Sequence, residues 1–371
     1  MTRPLRHVVV GVGASVFEMH RAALELPTSQ LVGVTDLNPE TGRARAAELG
    51  CASYPDYPTL LAETQPDVAV VLTPHPFHAP VAIACLEAGC HVLVEKPLAV
   101  EVSEADAVVE AAQRTGQLLA VNFQQRLRGE VLAAKRYLDA GRLGRVQHVD
   151  ITKAWPRTNA YYRSATWRAT WRGEGGGMLL NQAPHDLDLL CYLLGMPSRV
   201  VAWTRNLLHT TETEDTVQAM LEWGDGALGS FHISTAEGGR DERIEIVGTG
   251  GVLHIGSGRV TVERFEPDFA HYSETSPERF GTPEKVTVDL ELTHTQDEGQ
   301  GNHTEIYRNL HRAILEGVPL VCDGASGRMS LELANAMILS SYTRESVSFP
   351  LDRAAYHALL EDLKRGDRMT V

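Results

Sequence analysis

Three motifs, far apart in the chain, carry residue types that suit redox chemistry on a small molecule. An apolar run ends in a Gly-Val-Gly turn at 11–13, Lys96 stands in a Glu-Lys-Pro triplet, and His185 follows the glycine run 175–177. A Gly-x-Gly turn between a strand and a helix is typical of a dinucleotide site. Hydride transfer to a nicotinamide needs, besides that site, only a docked carbinol carbon and a group that takes its proton. The motifs therefore predict a nicotinamide-dependent oxidoreductase.

Lys96 and His185 are the predicted catalytic pair, which must come together beside the cofactor. Lys96 follows the apolar run 91–95, at the carboxyl end of a predicted strand, and that edge lines the ligand crevice of open α/β sheets. Its ammonium can stabilise a developing alkoxide. His185 is predicted in the first turn of a helix, where the imidazolium form is disfavoured and a neutral ring can accept a proton. The alternatives are a solvated lysine and a structural histidine between domains.

Two neighbours of His185 are candidates to assist it. Asn181 is predicted to cap the same helix, or to orient His185 or bind a substrate hydroxyl, and both interpretations stay open. Asp188 lies three residues beyond His185, on the same side of the helix, and is a second candidate to hold the imidazole.

The predicted cofactor site joins the glycine turn to an acidic residue. Gly11 and Gly13 allow the backbone to approach a pyrophosphate, and Asp36 closes the next strand, where a carboxylate can accept hydrogen bonds from ribose hydroxyls. The full fingerprint has a third glycine where this chain has Val16. Asn38, before Pro39, is the better candidate for the N-cap of the following helix.

The residues around Asp36 favour NAD over NADP. Leu37 follows Asp36, so a 2′-phosphate would meet a carboxylate without an adjacent basic partner. Arg43 and Arg45 lie one or two helical turns further on and keep NADP possible.

The elements that must position these residues fall into two groups. From 7 to about 123, nearly continuous apolar runs alternate with helical segments, which predicts an α/β Rossmann domain, a doubly wound parallel sheet, over residues 1–123. Beyond 130, period-two alternation predicts an α+β domain with an open, mostly antiparallel sheet over residues 124–371. The predicted helices are 17–26, 39–49, 77–88, 103–115, 129–140, 182–194, 303–316 and 326–345.

Composition narrows the class of protein. A formal net charge of -14 disfavours a nucleic-acid partner. The five scattered cysteines form no Cys-x-x-Cys pair and fit reduced thiols in the cytoplasm. A membrane span is not expected, because no stretch of about 18 apolar residues occurs. No metal is predicted either: His75, His78, His185, Asp186 and Asp188 are ligand types, but their spacing matches no zinc motif.

Several of these segments resemble the glucose-fructose oxidoreductase, inositol dehydrogenase and MocA-like (Gfo/Idh/MocA) family. The resemblance covers nearly the whole chain and is carried by the turn at 11–13, Asp36, Thr73-Pro74 with His78, AGCHVLVEKPLA at 88–99, VNFQQR at 121–126, the stretch from Trp167 to Leu190, and the segment 303–345. It implies an amino-terminal Rossmann domain, a carboxyl-terminal open-sheet domain, and redox chemistry on a sugar, cyclitol or related polyol.

The resemblance also implies residue roles and an assembly. Lys96 and His185 match the family's catalytic lysine and histidine, and Asn181 stands where the family usually has aspartate. A homo-oligomer, dimer or tetramer, formed through the sheet of the second domain is implied. The predicted cofactor-binding residues are Gly11, Gly13, Ser15, Asp36, Thr73, His78, Glu95, Lys96, Asn122, Trp167 and Arg168. The predicted substrate-binding residues are Gln124, Arg126, Trp155, Tyr161, Asn181 and His185.

The aromatic and arginine-rich segment 155–172 has two interpretations. Flat rings and planar guanidinium groups suit sugar rings and their hydroxyls, or the phosphates of the cofactor. Ordinary packing and subunit contacts account for part of them.

Two other functions remain as alternatives: an NAD-dependent glycosidase that oxidises its substrate transiently, and a non-catalytic, dinucleotide-binding regulator. Release of reducing sugar without net NADH would distinguish the first. Retention of both Lys96 and His185 argues against the second, because a sensor needs no proton acceptor.

Overall fold

The computed structural model describes residues 3–292, 294–295 and 298–367. Contacts between Cα atoms divide them into two compact units. The first comprises residues up to 124 together with 172–175 and 302–332, and the second comprises 125–171, 176–301 and the residues from 333 onwards. These units are discontinuous in sequence, whereas the predicted domains are two continuous ranges, and the division at 123/124 stays a prediction.

Strands and helices account for most of the described residues. The strands are β1 (Leu5–Val10), β2 (Ser29–Thr35), β3 (Ala52–Tyr54), β4 (Val68–Val71), β5 (His91–Val94), β6 (Leu119–Val121), β7 (Val146–Ala154), β8 (Arg199–Arg205), β9 (Thr216–Glu222), β10 (Leu228–Ser234), β11 (Arg243–Gly248), β12 (Gly251–Gly256), β13 (Arg259–Glu266), β14 (Glu284–Asp289) and β15 (Val347–Ser348). The helices are α1 (Phe17–Leu24), α2 (Pro39–Leu49), α3 (Tyr57–Thr64), α4 (His78–Glu87), α5 (Val102–Thr115), α6 (Gly129–Asp139), α7 (Asn159–Tyr162), α8 (Met178–Asn181), α9 (Pro184–Leu194), α10 (Phe269–Thr275), α11 (His303–Glu316), α12 (Gly324–Thr343) and α13 (Arg353–Arg365).

The first unit contains a parallel six-stranded sheet in the order β3-β2-β1-β4-β5-β6. This order is that of the doubly wound dinucleotide-binding fold. All four residues of β4 are buried, as expected for a strand covered by helices on both faces. The predicted Rossmann fold is confirmed.

The second unit contains a nine-stranded sheet in the order β14-β13-β12-β11-β7-β10-β9-β8-β15. Neighbouring strands are antiparallel except for the parallel pair β7 and β10. Alternate residues point to a buried face, where Ile151, Ala219 and Phe231 lie, while Trp203 and Met220 are exposed on the other face. The prediction of an open, mostly antiparallel sheet is confirmed.

The bounds of one predicted helix are confirmed, and two short elements were missed. Helix α2 begins and ends where the sequence predicted, and the side chain of Asn38 caps it by accepting hydrogen bonds from the amides of Glu40 and Thr41. The short elements β3 and α3 were not predicted. Among the described residues, no helix combines the length and the apolarity needed to cross a bilayer.

Candidate active site

In the turn after β1, an added Cβ would crowd its surroundings at two glycines. Gly11 has a φ of +96°, and a Cβ there would lie 2.9 Å from the carbonyl carbon of Leu72. A Cβ on Gly13 would lie 2.9 Å from Oδ2 of Asp36. Val16 has ordinary helical dihedral angles at the start of α1, so the absence of the third fingerprint glycine causes no backbone strain.

Asp36 ties this turn to the start of α2. Its carboxylate accepts hydrogen bonds from the amides of Gly13, at 2.7 Å, and of Asn38, at 2.9 Å. Ser15 is exposed in the same turn. The glycines, the acid and the helix start predicted from the sequence are therefore together in the first unit, and the residues present fit a dinucleotide.

Three predicted site residues carry buried polar atoms that have no hydrogen-bond partner among the described residues. They are Oγ1 of Thr73, Oδ1 of Asn122 and Oε1 of Gln124. Thr73 follows β4, and the other two follow β6, so all three lie just past the carboxyl ends of parallel strands. A buried polar group without a partner costs about 1–3 kcal/mol. Such atoms at the ligand-binding edge of the sheet indicate a site whose partners belong to a ligand.

Glu95, predicted to bind cofactor, is held in a buried hydrogen-bond network. Its carboxylate accepts from Nε2 of His20 at 2.9 Å, from the side-chain amide of Asn122, and from the backbone amide of Lys96 at 3.2 Å. Nδ1 of His20 lies 3.0 Å from the hydroxyl of Tyr307, which donates to it. The network fixes the residue that precedes Lys96, and a direct contact of Glu95 with cofactor stays a prediction.

Charge in this network is concentrated on Glu95. Burial alone would raise the pKa of Glu95, but hydrogen bonds from His20 and His303 outweigh it and hold that pKa well below its ordinary value. Burial lowers the pKa of His20, against the opposing effect of Glu95, so its ring is a neutral donor.

His20, Glu95 and His303 also form a possible metal-ligand set, since their ligand atoms all lie within 4.8 Å of one another. Two imidazoles and a carboxylate suit zinc. In the structure both nitrogens of His20 are used in hydrogen bonds, to Glu95 and Tyr307. The prediction that no metal is bound stays a prediction. The three positions are so far apart in the chain that their spacing gives no signal.

Two further histidines lie near Lys96. The ring nitrogens of His78 lie 2.7 Å from the carbonyl oxygens of Thr73 and Pro97, so the ring joins the loops after β4 and β5. Burial lowers the pKa of His75 well below its ordinary value, and the charges of His78 and Lys96 lower it further. Lys96 is half-buried. His78 therefore positions the loop that carries Lys96, and its contact with cofactor stays a prediction.

In the second unit, His185 occupies the second position of α9 and is half-buried. Its predicted place in the first turn of a helix is therefore correct. The prediction that Asn181 caps this helix is wrong, because Asn181 ends α8 and the N-cap position belongs to Ala183. An N-cap needs an extended backbone, whereas Gln182 and Ala183 are helical in φ and ψ.

The glycine run ahead of His185 serves close packing of the backbone. A Cβ on Gly177 would lie 2.2 Å from the carbonyl oxygen of Glu214. The carboxylate of Glu214 accepts hydrogen bonds from the amides of Gly177, at 3.1 Å, and Leu179, at 2.9 Å. Glu214 therefore fixes the start of α8, and no sequence motif predicted it.

Asp188 is committed to an arginine. Its carboxylate accepts from Nε of Arg126 at 2.8 Å and from Nη2 at 2.6 Å, and both side chains are about 2% exposed or less. Burial raises the pKa of Asp188, and Arg126 opposes that rise. Asp188 thus holds Arg126 rather than serving as the expected partner of His185, and a substrate contact by Arg126 stays a prediction.

Asp186, adjacent to His185, anchors an aromatic side chain. Its buried carboxylate accepts from the indole Nε1 of Trp155 at 3.2 Å and from Nζ of Lys153 at 3.2 Å. Lys153 also donates to Glu242 at 3.0 Å and lies 4.0 Å from the centroid of the Trp155 ring. Burial raises the pKa of Asp186, and the charge of Lys153 opposes it. Lys153, Asp186 and Glu242 were not predicted as a network because their pairings span 33 and 89 residues.

The other predicted aromatic residues form a cluster with arginines. The hydroxyl of Tyr161 accepts from Nη1 of Arg168 at 2.6 Å and from Nε2 of Gln182 at 2.8 Å. The guanidinium of Arg168 lies over the rings of Tyr161 and Trp167, at 4.3 and 4.7 Å from their centroids. The structure thus brings Tyr161, Trp167 and Arg168 together.

Both halves of the chain match known protein families. The family model described as "Oxidoreductase family, NAD-binding Rossmann fold" matches residues 5–123, and that of the GFO/IDH/MocA C-terminal domain matches residues 131–254. The scyllo-inositol 2-dehydrogenase (NAD(+)) of Bacillus subtilis (strain 168) is 30% identical over 69% of this chain and 75% of that protein.

Two further relatives cover more of the chain. A putative UDP-kanosamine synthase oxidoreductase subunit of Amycolatopsis mediterranei (strain S699) is 30% identical over 77% of this chain and 84% of that protein. The solved WlbA dehydrogenase from Bordetella pertussis, in complex with NADH and UDP-GlcNAcA, aligns with a TM-score of 0.79 and 28% identity over 94% of this chain and 100% of that one.

Proposed function

This chain belongs to the GFO/IDH/MocA family of NAD-binding oxidoreductases, and we propose that Lys96 and His185 carry its reaction, with NAD as the preferred cofactor. It is an NAD(P)-dependent dehydrogenase that acts on a hydroxyl group of a sugar, cyclitol or related polyol. The observation that most supports the cofactor site is the turn after β1, where the backbone of Leu72 leaves no room for a Cβ on Gly11 and the carboxylate of Asp36 accepts from the amide of Gly13.

The cofactor side belongs to the first unit. When bound, the nicotinamide supplies the acceptor for the hydride. The amides of the 11–13 turn suit the pyrophosphate, and Asp36 suits the ribose hydroxyls. Oγ1 of Thr73 and Oδ1 of Asn122 are buried and have no hydrogen-bond partner among the described residues, so they can form hydrogen bonds with the cofactor. Leu37 next to Asp36 is exposed and apolar, which supports NAD over NADP.

The two proposed catalytic side chains have separate tasks. Nζ of Lys96 donates a hydrogen bond to the hydroxyl oxygen of the substrate and stabilises the negative charge that develops as the carbon loses its hydride. A ring nitrogen of His185 takes the hydroxyl proton. Asn181 has no charge, so its part is to orient His185 or to bind a second hydroxyl, and it cannot act as the carboxylate of other family members would.

The substrate class follows from the named relatives. One acts on a cyclitol, scyllo-inositol, and another was solved with a sugar nucleotide. Substrate contacts are proposed for Gln124, Trp155 and Tyr161, of which Gln124 has a buried oxygen without a partner among the described residues.

The test is a screen followed by two matched pairs of variants. Sugars, inositols and sugar acids are tested for the formation of NADH from NAD and of NADPH from NADP. On the best substrate, Lys96→Ala and His185→Ala should each lower kcat by about 10²–10⁴-fold while NAD still binds. Lys285→Ala and His271→Ala, which change exposed residues, are the controls. Wild-type rates in both site variants would refute the assignment.

We further infer a homo-oligomer, a cytoplasmic location and a division into domains 1–123 and 124–371. Trp203, Met220 and Leu228 are 46–50% exposed on β8, β9 and β10, which offers an apolar sheet face to a second copy. Five unbridged cysteines suit a reducing compartment. A Trp203→Glu, Met220→Glu variant should lower the molar mass measured by light scattering, and an unchanged mass would refute assembly through this face.

A further inference from the structure

The segment 151–173 differs in charge from the rest of the chain. It holds five cations, Lys153, Arg157, Arg163, Arg168 and Arg172, and no aspartate or glutamate, whereas the whole chain has 34 cationic and 48 acidic residues. A local excess of positive charge in an acidic protein raises the local concentration of anions. The segment also supplies the aromatic residues Trp155, Tyr161 and Trp167.

Five of its side chains stack in an alternating order that we call the cation–aromatic ladder: Trp155, Arg157, Tyr161, Arg168 and Trp167. The guanidinium carbon of Arg157 lies 5.8 Å from the centroid of the Trp155 ring and 5.1 Å from that of Tyr161. Arg168 continues the order between Tyr161 and Trp167. Stacking engages the faces of a guanidinium and leaves its N–H donors pointing sideways, where they can reach an anion.

The ladder is fixed beside the residues that flank His185. Trp155 donates to Asp186, and Tyr161 accepts from Gln182, so the rings are tied to residues that lie one and three positions from the proposed proton acceptor in sequence. The backbone of Arg157 is fixed as well, because its amide donates to the carbonyl of Thr235 at 3.0 Å and its carbonyl accepts from His209 at 2.9 Å.

Arg157 has no acidic partner among the described residues. It is half-buried, and among the described residues no carboxylate lies within ion-pair distance of it. Its side-chain hydrogen bond runs to the carbonyl of the adjacent Pro156, at 3.1 Å. Lys153, four residues earlier, has two carboxylates. The chain has carboxylates in excess, yet among the described residues none pairs with this guanidinium, which lies near two aromatic rings.

We propose that this ladder binds an anionic group of the substrate, with Arg157 as its direct ligand. The proposal rests on the dehydrogenase function proposed above and narrows its substrate to a sugar or cyclitol that bears a carboxylate or a phosphate. Arg pairs with either group through two parallel N–H···O bonds. The neutral polyols then lack the group that the ladder recognises.

The test compares matched substrates on variants of one position. Rates of NADH formation are measured with glucose, glucuronate and glucose 1-phosphate, and with the corresponding neutral, carboxylated and phosphorylated forms of the best substrate of the screen. The wild type should show a kcat/KM at least about tenfold higher on one charged form than on the neutral one, and the better of the two charged forms identifies the group.

Arg157→Leu should lower kcat/KM for the charged form by about ten- to hundredfold, mainly through KM, and leave the neutral form within about twofold. Arg157→Lys should recover part of the loss, because lysine keeps the positive charge but lacks the two parallel N–H donors of a guanidinium. Arg163→Ala, an exposed arginine of the same segment, is the control and should have little effect. Titration of the charged ligand into the protein with NADH should show the same loss of affinity in Arg157→Leu.

Three results would overturn the proposal: a wild type that prefers the neutral form, an equal loss on neutral and charged forms in Arg157→Leu, or a loss of NAD affinity in that variant, which would assign the ladder to the cofactor. Failure of the dehydrogenase function would look different. It would leave every substrate, charged or neutral, without NADH formation.

Discussion

Two buried polar networks, one in each unit of this chain, differ in charge. In the first unit, His7, His311 and Thr28 form a chain of hydrogen bonds: the Thr28 hydroxyl lies 2.8 Å from Nδ1 of His311, whose Nε2 lies 3.0 Å from Nε2 of His7. Nδ1 of His7 donates to the carbonyl of Leu5 at 2.8 Å. With Nδ1 of His7 as a donor, Nε2 of His7 accepts from Nε2 of His311, and Nδ1 of His311 accepts from the Thr28 hydroxyl. Each ring then carries one proton, so both rings are neutral.

In the second unit the network compared with it consists of ion pairs. Arg126 with Asp188, and Lys153 with Asp186 and Glu242, are ion pairs whose side chains are at most 14% exposed. A neutral network is sensitive to protonation, whereas a paired network is sensitive to the removal of one partner. The stability of the first network should therefore depend on pH, and the stability of the second should depend on the presence of both partners of each ion pair.

The largest expected effect is in the second unit. Arg126→Met should lower the free energy of unfolding by about 3–5 kcal/mol, because it leaves the buried carboxylate of Asp188 without its cation. Denaturation in urea, followed by a signal of this unit, measures the loss. Arg259→Met, at an exposed pair with Asp289, should cost less than about 1 kcal/mol. Equal costs at the two sites would remove the contrast between buried and exposed pairs.

The next effect belongs to the first unit and depends on pH. Burial lowers the pKa of His7 to about 4 and that of His311 to about 3, against about 6.5 in the unfolded chain. Between those values the unfolded chain binds more protons, so stability rises with pH. For the two histidines together, it should therefore fall by about 3 kcal/mol as the pH drops from about 6.5 to about 5.

A His7→Phe, His311→Leu double variant tests the source of this dependence. Its unfolding free energy should vary less with pH over the same interval, whereas His271→Ala, at an exposed histidine, should keep the wild-type slope. An unchanged slope in the double variant would show that other groups cause the loss in acid.

A smaller effect is expected at Asp36, where the two cofactors differ. Asp36→Ser removes the carboxylate that a 2′-phosphate would meet and should shift the ratio of kcat/KM for NAD to that for NADP by about ten- to hundredfold toward NADP. Glu40→Gln, an exposed carboxylate of α2, is the control. If the ratio stays constant, Asp36 does not select the cofactor.

The smallest effect separates ligand binding from folding. Oγ1 of Thr73 has no partner among the described residues, so Thr73→Val should leave the unfolding free energy within about 0.5 kcal/mol and weaken NAD binding by about three- to tenfold. A fluorescence titration with NADH measures the affinity. A stability loss with unchanged affinity would mean that the hydroxyl serves the fold.

The elements that carry local signals were predicted from the sequence. The Rossmann strands are continuous apolar runs, and α2 has both a capping residue and a terminal glycine, so their positions follow from neighbouring residues. The cap assigned to Asn181 failed because Asn181 is the last residue of α8, which ends only three residues before α9 begins, and is therefore already helical. A residue-type preference cannot detect a preceding helical turn.

The buried networks could not be predicted because their partners meet only through the tertiary fold. His20 pairs with Tyr307 across 287 positions, and Arg126 pairs with Asp188 across 62. Composition does give one usable signal: the segment 151–173 lacks acidic residues in an acidic chain. That signal locates the ladder, although the stacking order of its members comes from the structure.

The most direct test follows one hydride. A substrate found by the screen is deuterated at its carbinol carbon, and the reduced cofactor is analysed by mass spectrometry for the wild type, Lys96→Met and His185→Gln. We expect deuterium in the reduced nicotinamide and rates about 10²–10⁴-fold lower in both variants. Deuterium lost to water would contradict the proposed hydride transfer, and a wild-type rate in either variant would contradict the role proposed for that residue.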